Sequence, residues 1–279
     1  MKNVLYLLSL LLLCIACSDS DGEMPAGPAR PTMNVRDSLA MVAFYHSMKC
    51  AEWKGGFHWD LKDYETWGGV TAVLDKEKNE YHITEIEVPM AETYLPDGYR
   101  LPAELGKLSE LRSLIVWGDG RAVEGIPPEL FNCPLEVLYI VGKANGETRK
   151  GFWGTIPKEI GKVTGTLKHL TIANTNIGGE IPEEIGAFQQ LETSIYLYGN
   201  EFNGKVPIYF RYLSVGICLW DNKFTEMDWR YFTEDIGYVP ELKDNCLTGT
   251  VPEEVLSTER WKYWKHNLEP QRRGYGLAY

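Results

Sequence analysis

The chain has 279 residues, 44% of them apolar and 24% charged, the balance of a folded protein with a sizeable core. Its 28 Lys and Arg against 39 Asp and Glu leave a formal net charge of −11. That acidity, with no basic stripe, argues against nucleic acid or anionic lipid as a partner.

Residues 1–16 join one lysine, Lys2, to an apolar run from Val4 to Ile15. The run is too short to span a membrane and reads as a targeting segment outside the fold. Residues 18–34, rich in Ser, Asp, Gly and Pro, read as a flexible tether. Arg36–Lys49 predicts a helix capped by Asp37 or Ser38, with Leu39, Val42, Ala43 and His46 on one face. A turn-rich aromatic stretch with Trp53, Phe57, Trp59 and Tyr64 follows. Trp67-Gly68-Gly69-Val70 then leads into a strand at His82–Val88.

From there one phrase recurs. It reads LPAELG at Pro102, EGIPPEL at Pro127, WGTIPKEIG at Pro157, GGEIPEEIG at Pro182, NGKVPIYF at Pro207 and TGTVPEEVL at Pro252. The prolines step by 25, 30, 25, 25 and 45 residues, and the longest step hides a degenerate copy with Asp228 in the proline's place. A period in the twenties is the mark of a solenoid. Each unit starts with alternating apolar residues, a short strand with one buried face. An Asn then turns the chain and can bond backbone that the turn leaves unpaired. Pro fixes φ for one helical turn, and the third residue after it (Leu105, Leu130, Ile160, Ile185, Phe210, Val255) points inward. The five-residue excess between Pro127 and Pro157 falls in the polar loop Gly142–Gly151, a tolerated insertion or a binding loop.

Ile195-Tyr-Leu197-Tyr-Gly-Asn200-Glu-Phe202-Asn-Gly204-Lys-Val206-Pro207 matches the phrase of plant-type leucine-rich repeats position by position. Leu170 to Pro182 matches with Thr175 in the Asn slot, and Asn245 to Pro252 matches again. The chain therefore resembles a leucine-rich repeat protein over roughly residues 83–258. The resemblance implies an α/β fold: a curved solenoid of about seven coils, parallel strands on its concave face and a cap at each end. The order helix, WxGV, strand is similar to the N-terminal cap of that family. Glu65 and Ala72 stand where such caps carry a cysteine pair, so this cap must hold by packing alone. Cys14-Ile-Ala-Cys17 resembles a bacterial lipoprotein signal, and Ser18-Asp19-Ser20-Asp21-Gly22 the export tag of Bacteroidetes surface lipoproteins. These imply lipidation at Cys17 and an outer-membrane protein exposed at the cell surface. The expected organisation is 1–16 signal, 17–35 lipidated tether, 36–82 N-terminal cap, 83–256 repeats and 257–279 C-terminal cap. Tryptophans of that last segment cover the final coil.

Metal-ligand spacings and catalytic motifs are missing, and His58-Trp-Asp60 is a chance pairing, so no enzyme, metal or cofactor is expected. The glutamates in the first turn after a proline (Glu104, Glu129, Glu159, Glu183, Glu184, Glu253 and Glu254) favour a helix N-terminus rather than acid–base work. Cys50, Cys133, Cys218 and Cys246 form no CxxC. Free, partly buried thiols are expected, with pairing still open in an oxidising compartment. The informative residues flank the second buried residue of each strand and point out of the sheet: Ile115 and Trp117, Tyr139 and Val141, Thr171 and Ala173, Tyr196 and Tyr198, Cys218 and Trp220, Glu241 and Lys243. Trp117, Tyr139, Tyr196, Tyr198 and Trp220 make this an aromatic-rich concave face suited to holding a protein ligand. Two alternatives stay open. The same rings stack on sugars, which suits a carbohydrate-binding lipoprotein, or they merely stabilise neighbouring strands in a structural or adhesive protein.

Overall fold

The computed structural model describes residues 30–53, 59–88, 95–118, 120–145, 148–234 and 237–279; side chains of 144–150 are not described. The targeting segment, Cys17, most of the tether, Phe57, His58 and the tip of the Gly142–Gly151 loop lie outside the described residues. The body Thr32–Tyr279 forms one unit.

Its main sheet runs through Glu80–Val88, Ser113–Trp117, Val137–Val141, His169–Ala173, Ile195–Tyr196 and Ile217–Cys218, all parallel. A single bridge, Cys218 to Glu241, carries the pairing into the next coil. Alternation places Leu114, Leu138, Leu170 and Ile195 beneath this sheet, all buried. Asn176–Gly179, Glu201–Lys205 and Lys223–Glu226, with Trp153–Gly154 at one edge, form a second parallel sheet. The residues after the Asn thus also alternate, burying Ile177, Phe202 and Phe224.

Each repeat proline sits at φ between −79° and −59° and opens one short helical turn. Leu105, Leu130, Ile160, Ile185, Phe210 and Val255 are all buried, as expected. Gly106 allows the next coil close: a Cβ there would lie 2.2 Å from the Glu129 carbonyl oxygen.

Buried asparagines tie the coils together. The Asn222 amide donates to the carbonyls of Leu197 (2.8 Å) and Leu219 (3.0 Å), and its oxygen accepts from the Phe202 N–H (3.1 Å). Asn245 repeats the pattern one coil on, with Leu219, Leu242 and Phe224. Asn200 bonds Ile172 and Leu197, and accepts from the hydroxyl and N–H of Thr175. The C-terminal segment caps the solenoid by continuing it. Gln271 donates to the carbonyls of Leu242 and Leu268 and accepts from the Leu247 N–H, taking the asparagine's part. Gly276–Ala278 pairs parallel with Thr248–Thr250.

Asp228 shows how a coil manages without its proline. The carboxylate is buried, accepts two bonds from the Arg230 guanidinium (2.9 and 2.8 Å) and one from the Arg230 N–H, and pairs with Lys205 at 3.0 Å. The Arg230 bonds, foremost, hold its carboxyl far below the usual carboxylate range. Asp228→Asn is expected to lose about 2 kcal/mol at neutral pH, because charged bonds become neutral while both cations regain water. A depressed folded-state pKa gives stability that is complete above the unfolded value of 3.8 and lost as pH falls through the folded value. Denaturant titrations should therefore show wild type and variant converging in acid, below about pH 4. Equal stability at neutral pH would remove the role of this cluster.

The N-terminal cap corrects three expectations. Its helix is Val35–Ser47, capped by Asn34, whose side chain accepts from the N–H groups of Arg36 and Asp37. The buried face is Asp37, Ala40, Met41 and Phe44, while Leu39 is 63% exposed and His46 lies at the surface. Asp37 is not a cap. It accepts from the Ile83 N–H at 2.9 Å, with the His82 Nδ1 at 3.4 Å. The tether also ends earlier than residue 35, because Thr32–Met33 pairs with Glu80–Tyr81. A strand at Val70–Asp75, antiparallel to Glu80–Val88, completes the cap. In place of a cysteine pair, Trp59 packs between Phe44, Trp53 and Trp67 at centroid distances of 5.9, 5.7 and 6.0 Å.

Candidate functional site

Strand register decides which outward side chains become neighbours. Glu87, Ile115, Tyr139, Thr171, Tyr196, Cys218 and Glu241 form one row across the main sheet. Trp117, Val141 and Ala173 begin a second row, which Tyr198, Trp220 and Lys243 continue through the backbone bonds linking Asn174 to Tyr198, Gly199 to Trp220 and Asp221 to Lys243.

The five aromatic residues do not form one ladder. Tyr196, Tyr198 and Trp220 come together: Tyr198 and Trp220 stack face to face at 4.3 Å and 5°, and Tyr196 meets Tyr198 edge-on at 6.4 Å and 85°. Tyr196 is 37% exposed and Trp220 36%, so this cluster is wet on its outer side. Tyr139 lies across Thr171 from Tyr196, about 10 Å away at two strand spacings. Trp117, half-buried, is separated from Tyr198 by the strands of Val141 and Ala173. Ala173, expected to face outward, is fully buried: its methyl is too short to clear the flanking strands that carry Val141 and Tyr198.

Beside the ring cluster the Cys218 thiol donates to the Glu241 carboxylate at 3.4 Å. Burial, and then the Glu241 charge, push that thiol up to about 12, so it stays protonated at neutral pH and is no nucleophile. Burial likewise raises Tyr198. The chemistry on offer is apolar ring surface, hydroxyl groups and one carboxylate, which suits binding. Neighbouring residues in sequence gave no sign of the Cys218–Glu241 contact, which needs two coils. All four described cysteines are free: Cys50, Cys133 and Cys246 are buried and Cys218 half-buried. Cys133 packs as expected, with its thiol donating to the Leu105 carbonyl at 3.1 Å.

A Leucine Rich Repeat family model matches residues 166–188, within the coils that carry His169–Ala173 and Pro182. Parallel strands in register, the asparagine ladder and this match together decide the architecture. The fold is a leucine-rich repeat solenoid. No curated protein matches the sequence. Among solved structures, similarity extends to the repeat ectodomain of the plant membrane receptor kinase GASSHO1/SCHENGEN3 from Arabidopsis thaliana, in complex with CASPARIAN STRIP INTEGRITY FACTOR 2. That match is 27% identical with a TM-score of 0.42 and covers 63% of this chain but only 23% of the receptor's. A plant ice-binding protein is 18% identical over 81% of this chain and 84% of its own, with a TM-score of 0.48. Pollen Receptor Kinase 3 is 20% identical over 86% and 95%, with a TM-score of 0.47. No helix among the described residues is long and apolar enough to cross a membrane.

Proposed function

We propose that this leucine-rich repeat chain is a non-enzymatic binding protein that holds a protein partner on the concave face of its main sheet. The lipid at Cys17 would display it at the surface of an outer membrane. The Tyr196, Tyr198 and Trp220 cluster carries the reading. It presents large ring surface with few rotatable bonds, and hydroxyl groups for orientation, as binding hot spots do. Tyr139 and Trp117 extend the contact toward the N-terminal coils. The stack covers one face of Tyr198 and one of Trp220 and leaves their other faces to a ligand, so a glycan is the second reading and the screen below separates the two.

The test is a binding screen of the chain against extracellular proteins and glycans, repeated with Tyr196→Ala, Tyr198→Ala and Trp220→Ala combined. A protein hit weakened by roughly 100-fold or more in the variant, with its melting temperature maintained, is the expected result. A hit of unchanged affinity would move the site elsewhere. Retained surface labelling after Cys17→Ser would remove the anchoring role of that cysteine.

A further inference from the structure

The C-terminal cap carries more aromatic surface than capping needs. Trp261 and Leu268 do the covering: both are buried, and Trp261 packs on Phe232 at 5.3 Å and Trp229 at 6.4 Å. Trp264, one helical turn on, is only half-buried. Two tyrosines stand edge-on to it, Tyr263 at 4.9 Å and 77° and Tyr238 at 6.3 Å and 83°, and the His266 ring lies parallel to it at 6.3 Å and 16°. Both tyrosines are open to solvent, Tyr263 at 67% and Tyr238 at 50% exposure. Rings perpendicular to a central indole make a corner rather than a flat plate.

The segment that carries Tyr263 and Trp264 is basic, although the chain as a whole is acidic. Residues 257–279 hold five Lys and Arg against two Glu, whereas the whole chain carries −11. Lys262 is used by Glu259 at 2.7 Å, and the Arg260 guanidinium bonds the carbonyls of Tyr231 and Gly237. Lys265, exposed and directly after Trp264, makes no ion pair among the described residues.

We propose that Tyr238, Tyr263, Trp264 and Lys265 form a subsite for an acidic glycan, a sugar ring bearing a carboxylate or sulfate. The C–H face of a sugar rests on aromatic carbon, the corner sets its orientation, and the lysine meets the anionic substituent. A cationic ligand is disfavoured by Lys262 and Lys265, which flank Tyr263 and Trp264 in the chain. An anionic membrane is disfavoured because the acidic body would be repelled by a charged plane. This site is separate from the sheet-face cluster and does not rest on it.

The experiment is affinity electrophoresis of the full chain in gels containing polygalacturonate, heparin or, as a neutral control, dextran. Retardation by polygalacturonate or heparin and none by dextran is expected, with apparent affinity falling at least tenfold in both Tyr263→Ala and Lys265→Glu. Both side chains are exposed, so an unchanged melting temperature will establish that the cap stays folded. Four results would overturn the proposal: no retardation by either acidic polymer; equal retardation by dextran; loss in Lys265→Glu with Tyr263→Ala unaffected, which is simple ion exchange; or loss only in Tyr196→Ala combined with Trp220→Ala, which places the glycan on the sheet face.

Discussion

Replacing Asn222 by Ala should cost roughly 3–9 kcal/mol, at about 1–3 kcal/mol for each buried backbone group left without a partner. Three groups are at stake: the carbonyls of Leu197 and Leu219, and the N–H of Phe202. They belong to two neighbouring coils, and Asn222 is fully buried, so water cannot take over. Such a loss is comparable to the whole stability of many domains. Because each coil leans on the next, damage should spread along the solenoid rather than stay local. Hydrogen exchange is the sharpest reading. The Phe202 amide and those of residues 217–226 should lose protection first, ahead of the strands Ser113–Trp117 and Val137–Val141. Asn222→Asp should fail as well, since a carboxylate keeps the acceptor but not the donors and buries a charge. A cost below 1 kcal/mol for Asn222→Ala would mean that the ladder is incidental to the coil.

Trp59→Ala is the second large effect, expected at about 3–5 kcal/mol for removal of a buried indole. Trp59 touches Phe44, Trp53 and Trp67, and its indole N–H donates to the Gly68 carbonyl at 3.2 Å. The two neighbouring indoles are tied down too, Trp53 to the Met48 carbonyl and Trp67 to the Asp60 carbonyl. Trp59 is the ring that Phe44, Trp53 and Trp67 all pack against, so its loss opens a cavity between them. The cap shields the apolar end of the first coil, where Ile83 and Ile86 are fully buried. Near-ultraviolet circular dichroism should lose its tryptophan signal at a lower denaturant concentration than the far-ultraviolet signal of the coils. Coincident transitions with an unchanged midpoint would show that the coils hold without this cluster.

Much of the fold was legible because a repeat states its own register. Prolines at near-constant spacing mark the same point of each coil, so the inward residues from Leu105 to Val255 followed by counting. The asparagine role was legible for a similar reason: a short buried amide after a strand has backbone within reach. The cap helix was legible as a helix but not in phase. Its apolar residues fit two faces, and the face that won includes Asp37, a charge a sequence reading assigns to solvent; only the Ile83 N–H across the cap explains its burial. The second sheet was missed because its strands run two to five residues, too short for alternation to stand out.

The sequence by itself determined the architecture, the buried row of each coil and the set of outward aromatic residues, since these depend on local spacing alone. Only the tertiary structure decided which of those residues meet. Coils of unequal length and short, irregular strands bring Tyr198 onto Trp220 and leave Trp117 apart. The same packing turned Gln271 into a rung of the asparagine ladder and put Tyr238 beside Trp264. Contacts between coils are set by stacking through space, and no spacing within one coil encodes them.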